Sequence, residues 1–429
     1  MRILILVIFC LALSNLLVST QLGLGDGEAL YTSYGQHLSL SYLDHPPLIG
    51  WLIYLATSAF GVQVLAVRSV SILMMAASAV FTYLLTKDMF GSRAAAWSPL
   101  LLLATPIFSV GMIASAPDAP LAALWPLFTW QLHRGLEDNS KTRWARLGRP
   151  VLLGFVLGLA FLAKYTGVCL AITAAIVLGS SYGRSWLRRP GTWMGALVAL
   201  GTVLPVVVWN AEHHWAGLFH RLVWTQAGAG FSLRNTGALV GGQLLYVGPL
   251  VLPLLLWSVF YLVRARRRQL STMVLLAASL PALGATYLLV LWSDVAEPHW
   301  PGAGYMPLFA AASALVAERV RATTVAKAAV GFGCFVLVAL HIAVETPLLP
   351  ALLPEKSYQP QYDLGNELRG WPEVAETVRA MADDDMPVLA AFYTQCGQLA
   401  FALSKPGDPV VRCVSPETDD FDLWHGAFA

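Results

Sequence analysis

Apolar segments of membrane-spanning length recur along this chain as far as about residue 345, and they decide what it can fold into. A crossing takes about 20 predominantly apolar residues. Inside a bilayer the backbone must satisfy its own hydrogen bonds, which leaves helices or a closed barrel. Candidate spans run over 3–20, 64–86, 94–114, 119–133, 150–163, 166–180, 191–208, 238–262, 271–292, 304–317 and 324–344. The expectation is an all-α polytopic membrane protein of about 11 transmembrane helices. Composition agrees, with 57% hydrophobic and 12% charged residues. An ordinary soluble domain carries about twice that charge. Residues 3–13 after Met1-Arg2 also read as the start of a signal peptide. No small-x-small cleavage site follows, and the many later spans favour an uncleaved first helix.

Basic residues orient the spans, because Lys and Arg collect in cytoplasmic loops. Placed inside are Arg2; Lys87 and Arg93; Arg134, Lys141, Arg143, Arg146 and Arg149; Arg184, Arg188 and Arg189; Arg264 and Arg266 to Arg268; and Arg319, Arg321 and Lys327. The N-terminus is then cytoplasmic and the C-terminus extracytoplasmic. Residues 150–180 are too long for one helix, and basic clusters flank both ends. They form a hairpin with Lys164 near its outer tip. Its arms are short for a full crossing at about 1.5 Å per residue, so the tip is recessed. Asp118 sits between Pro117 and Pro120, a helix break at another outer tip.

The loop 21–63 holds two helical lengths, 28–40 and 48–60, suited to lying flat on the membrane. From about Thr346 the chain turns polar, with thirteen acidic residues against five basic ones. Val388 to Tyr393 and Pro409 to Val414 read as strands around a helix at 395–404. The division is a transmembrane catalytic domain over 1–345 and a small extracytoplasmic α/β domain over 346–429. Cys10, Cys169 and Cys334 lie in apolar spans as packing residues, whereas Cys396 and Cys413 lie where they can pair on the oxidising side.

Charge clusters on the outer side. Asp26-x-Glu28 begins a loop, as solvated acids often do; it equally suits a general base or a divalent cation site. In Asp44-His45-Pro46-Pro47 the prolines fix the backbone, mounting an acid and an imidazole rigidly towards a phosphate or metal. Ionisable groups near membrane depth, as at Asp118 and Lys164, are costly and usually functional, although a lysine also snorkels to the headgroups. Glu212-His213-His214 and His220-Arg221 lack a metal-protease spacing, and Arg221 reads better as a phosphate fork. His299, in Glu297-Pro298-His299-Trp300-Pro301, ends a span on the same side. There is no Walker loop or nucleotide-binding glycine motif, so a donor delivered through the bilayer fits better than a cytosolic nucleotide.

Asp26-x-Glu28-x-x-Tyr31, Tyr42-x-Asp44-His45-Pro46-Pro47-Leu48-Ile49-Gly50-Trp51 and Ala116-Pro117-Asp118-Ala119-Pro120 together resemble a known family. It is that of the bacterial dolichyl-phosphate-mannose-protein mannosyltransferase-related enzymes, GT-C glycosyltransferases akin to the lipid A aminoarabinose transferase. The match covers roughly residues 20–310. The resemblance implies an inverting transferase acting on the outer face with a polyprenyl-phosphate sugar. By position Asp26 matches the catalytic carboxylate, Asp118 a second acid and Lys164 the basic residue near the donor phosphate. Asp44-His45 matches an acidic-basic pair that includes a zinc ligand in the aminoarabinose transferase. The partner histidine expected near Trp224 is not visible, since Thr225-Gln226-Ala227 follows.

The reading is of Asp26 as base, with Asp118 and Glu28 in support. Lys164, Arg221, His45 and His299 hold the donor phosphate, and Tyr31, Tyr42 and Asp44 position substrate. Asp44 is also the residue that would bind a divalent metal, no cofactor being certain. The acceptor is a lipid, a glycan or a protein, and nucleic acid is not a partner. The rival reading is a transporter or flippase of lipid-linked sugars, which should carry mid-span charges and inverted repeats.

Overall fold

The computed structural model describes residues 22–426 apart from 111, 112, 141, 294, 296, 347, 355, 360–362, 383–385, 416 and 417. The expected first span 3–20 and Cys10 lie outside the described residues. The described chain is mostly helical. Helices α1 (Asp26–Gln36) and α2 (Leu48–Phe60) fall on the flat lengths read in the first loop. Then come α3 (Val64–Phe90) and α4 (Asp118–Glu137), separated by short helices at Ser92–Ala95, Ser98–Leu103 and Pro106–Val110. The expected single span 94–114 is therefore broken. Pro99 and Pro106 each open a new short helix, as a residue lacking an N–H does best at a first turn.

The hairpin around Lys164 is present as α5 (Arg149–Ala163) and α6 (Val168–Gly179), with Lys164 in extended conformation between them. Next are α7 (Pro190–Glu212), α8 (Ala216–Leu222), α9 (Leu233–Tyr246), α10 (Val251–Ala265), α11 (Leu270–Val290), α12 (Gly302–Glu318) and α13 (Val320–Glu345). The expected span 238–262 is two helices, α9 and α10, bent by 101°. Gly248, at φ +97°, turns the chain between them, a conformation open to a residue without Cβ. Among the described residues five helices are long and apolar enough to cross a membrane, or six if the bent pair is one span.

Packing follows the small residues. Gly154 and Gly158 of α5 face α7, and a Cβ on Gly154 would stand 1.8 Å from the Gly195 carbonyl oxygen. Small residues four apart let backbones meet in this way where lipid supplies no hydrophobic drive. α12 lies at the centre, with nearly every residue buried against α3, α4, α10 and α11.

The C-terminal segment adds α14 (Trp371–Met381), β1 (Val388–Ala390), α15 (Tyr393–Ala402), β2 (Val411–Cys413) and α16 (Asp420–His425). β1 and β2 pair in parallel, Val388 opposite Val411 and Ala390 opposite Cys413. Cys396 and Cys413 form a disulfide, Cα–Cα 5.8 Å. Leu399, Val411 and Phe421 bury against Leu30, Tyr34 and Tyr42, which seats this segment on α1 and the loop after it.

Candidate functional site

Glu28 organises the site by joining three stretches of chain. Its carboxylate accepts from the Gly25 amide at 3.1 Å, from Arg68 on α3 at 3.0 Å and from the Ser115 amide at 3.1 Å. Asp26 lies two residues from this knot and Asp118 three residues beyond Ser115, so one buried carboxylate registers both loops. Glu28 is 5% exposed and Arg68 1%. With its oxygens engaged in this way, Glu28 acts on the arrangement of the site rather than as an open acid.

Asp118 opens α4 and meets Lys164 at the hairpin tip, with Nζ 2.9 and 2.8 Å from its two oxygens. His299 Nε2 stands 3.9 Å from Asp118 Oδ2, and its Nδ1 lies 3.8 Å from Glu297. Burial, then Lys164, hold the His299 imidazole down to about 4 against the pull of Asp118. It is neutral at ordinary pH.

A second cluster forms on the Asp44 loop. Arg221 of α8 donates from Nη2 to Asp44 Oδ1 at 2.8 Å and from Nε to the Asp44 carbonyl at 2.9 Å. His220 Nε2 is 3.3 Å from the same Oδ1, and His45 Nε2 is 3.3 Å from Oδ2. Burial would raise the Asp44 carboxyl, but His45, His220 and Arg221 hold it well below the usual range. Burial pushes the His45 imidazole down to about 3, with Arg221 and Lys164 adding to that and Asp44 opposing it. Arg221 Nη2 also lies 3.2 Å from His45 Nε2. The same Nε2 faces Asp44 Oδ2 at 3.3 Å, so it can accept from Arg221 or donate to Asp44 but not do both. Nδ1 is buried with no partner among the described residues.

The backbone that aims α8 is unusual. His214 and Trp215, at φ +53° and +63°, are both left-handed, a conformation disfavoured without glycine. The turn is held by Asn210, whose carbonyl takes the Trp215 amide and whose side chain takes the Leu218 amide.

The two clusters share one neighbourhood. Tyr31 packs edge-on to His45 at 5.5 Å between ring centres. Burial, then Asp44 and Asp118, raise its hydroxyl well above the ordinary value. Tyr42 instead shapes the loop. It stacks on Tyr34 at 3.9 Å, and its hydroxyl donates to the Tyr34 carbonyl at 2.6 Å.

Asp26 is reached from the far end of the chain. Gln398 of α15 donates to Asp26 Oδ1 at 3.0 Å, and Glu367 accepts the Asp26 amide at 2.6 Å. Tyr393, also on α15, lies in the field of both Asp44 and Asp26. None of Gln398, Glu367 and Tyr393 is legible from local pattern.

A divalent cation does not suit the residues present. Asp44, His45 and His220 meet, but among the described residues no group of three His, Cys, Asp or Glu is arranged to hold a metal ion. The Arg221 guanidinium occupies the Asp44 oxygen that a cation would need. His213 turns instead to Trp209, stacking at 4.2 Å.

Residues 44–209 match the family described as dolichyl-phosphate-mannose-protein mannosyltransferase. The chain is 25% identical over 288 residues to the lipid A galacturonosyltransferase RgtD of Rhizobium johnstonii, covering 65% of this chain and 58% of that one. It is 29% identical over 183 residues to the undecaprenyl phosphate-alpha-4-amino-4-deoxy-L-arabinose arabinosyl transferase of Pseudomonas aeruginosa, covering 41% and 32%. The chain thus spans less than two thirds of the length of these relatives. Its fold is that of ArnT from Cupriavidus metallidurans in the apo state, with TM-score 0.70 at 15% identity over 98% of this chain and 87% of that one. The undecaprenyl phosphate-bound form gives 0.69 at 14% identity, with the same coverage. The family resemblance carried by the motifs is borne out.

Proposed function

We propose that this chain, sharing motifs and fold with GT-C transferases, is an integral-membrane inverting glycosyltransferase. It moves a sugar from a polyprenyl-phosphate donor to an acceptor of the lipid A class on the extracytoplasmic face. The observation that carries this is the meeting of cations from separate stretches of the chain. Arg221 of α8 stands 3.2 Å from the His45 ring, and the charge of Lys164 at the α5–α6 tip also reaches that imidazole. A phosphodiester arriving from the bilayer meets both, with His45 and neutral His299 as further donors. Lys164 and Arg221 are pre-aimed by Asp118 and Asp44, so little reorganisation is needed when the phosphate binds. Asp26 then takes the proton of the acceptor hydroxyl as that oxygen attacks the anomeric carbon from the side opposite the phosphate. The polyprenyl phosphate leaves as a stable anion. No step requires a metal.

The wider arrangement belongs to the same proposal: eleven crossings with the N-terminus inside, and residues 346–429 as an outer cap over the site. The transporter alternative loses its support, since both relatives bear the names of transferases.

The test supplies purified protein in detergent with undecaprenyl phosphate carrying galacturonic acid or 4-amino-4-deoxy-L-arabinose, plus lipid A, and measures released undecaprenyl phosphate. Turnover without an ion gradient is expected. Asp26→Asn is expected to lose about 10²- to 10⁴-fold in kcat. Full activity of that variant would remove Asp26 as the base.

A further inference from the structure

Gln398 is 1% exposed, although its amide reaches the carboxylate assigned as the base. Its Nε2 donates to the Leu24 carbonyl at 2.8 Å and to Asp26 Oδ1 at 3.0 Å. Asp26 Oδ2 has no partner among the described residues. Both neighbours on the N-terminal side fix where Gln398 stands. A Cβ at Gly397 would lie 2.9 Å from the Leu30 amide nitrogen, so α15 can approach α1 only because that position is glycine. Cys396 is tied by its disulfide to β2. Glu367 braces Asp26 from behind, through the Asp26 amide.

A side-chain amide has a definite chemical effect in this place. It favours the ionised form of the carboxylate it donates to. It also fixes the rotamer, presenting the second oxygen in one direction. Other titratable groups also face Asp26. Glu367 and Tyr393 face it from the C-terminal segment, and Glu28 lies on its own helix with its charge offset by Arg68. Burial, then Asp26 and Glu28, push the Glu367 carboxyl up.

We propose that Gln398 is a positioning residue for sugar transfer, holding Asp26 Oδ1 from the far end of the chain so that Oδ2 faces the acceptor hydroxyl. The proposal rests on the reading of Asp26 as the base. It makes the C-terminal segment part of the reaction as well as a cover over it.

The experiment is the pH profile of kcat/KM for the full chain in detergent, with whichever of the two undecaprenyl-phosphate sugars the wild type accepts and with lipid A. The acidic limb reports the base of the free enzyme. Gln398→Leu is expected to move that limb up by about one pH unit, the worth of a hydrogen bond to a charged group. KM for the donor should stay unchanged. Gln398→Glu keeps the shape, brings a like charge to Asp26 and is expected to move the limb at least as far. It carries the test if the leucine variant does not fold. A limb that stays in place in a folded variant, with Asp26→Asn inactive, overturns the positioning role and leaves the base intact. An active Asp26→Asn overturns the base assignment and this role with it.

Discussion

Arg68 and Glu28 form an ion pair whose side chains are 1% and 4% exposed. Removing one partner of such a pair strands a buried charge and costs about 3–5 kcal/mol, far more than replacing both. Arg68→Ala is therefore expected to unfold well below the wild type in detergent, with the double change to Met and Gln recovering much of the loss. Thermal unfolding of the three proteins measures this, and equal melting would deny the knot its role. His45 and His299 set a different expectation. Burial holds them at about 3 and about 4, so both are neutral throughout the range of about pH 5–8. Their charge cannot supply a limb of the rate profile in that window, and His45→Gln should leave its shape unchanged. At this scale Asp118, Lys164 and the Asp44-His45 pair could be picked out in the sequence, because proline breaks and a hairpin length single them out, whereas Asp26 came from the family resemblance. Gln398 and Glu367 could not, since they meet Asp26 across 372 and 341 residues of chain.

Among the elements, the hairpin α5–α6 was legible from length and flanking charge, and the helix pair α1–α2 from its place between apolar stretches. The bend between α9 and α10 was not, because apolar composition runs through it unbroken. Gly248-Pro249 was the available signal, a dipeptide that breaks helices. The element most open to test is the Cys396–Cys413 bridge, which closes a separation of 17 residues. Closing a loop of that size removes about 3 kcal/mol of unfolded-state freedom. The paired change of both cysteines to Ser should lower the melting temperature by several degrees. Because Cys396 lies two residues before Gln398, it should also lower kcat more than it raises donor KM. Unchanged kcat in the folded double variant would separate the bridge from the site.

On the scale of the whole molecule, one buried acid links the last helix to the first loop. Asp420 accepts from the Tyr34 hydroxyl at 2.8 Å and from the Leu43 amide at 2.8 Å. Burial pushes its carboxyl up to about 7, with the charges of Asp44 and Asp419 adding to that and the two hydrogen bonds opposing it. Its folded value lies above its unfolded one. The stability it contributes is therefore full below about pH 4 and is lost as pH rises through about 7. Asp420→Asn has no carboxyl to ionise there, so its melting temperature should fall less than the wild type's between about pH 4 and 7. Parallel losses would remove Asp420 as the cause.

Everything in the proposed chemistry depends on Lys164 of the α5–α6 tip and Arg221 of α8 addressing one phosphate. A double-mutant cycle on undecaprenyl phosphate binding tests this directly, using Lys164→Ala, Arg221→Ala and the pair together. Groups sharing one ligand couple by about 0.5–3 kcal/mol, whereas independent ones add. Each single change is expected to weaken binding, and the pair to depart from their sum by at least the lower of those values. Additive losses, or binding untouched by either change, would contradict a shared phosphate site.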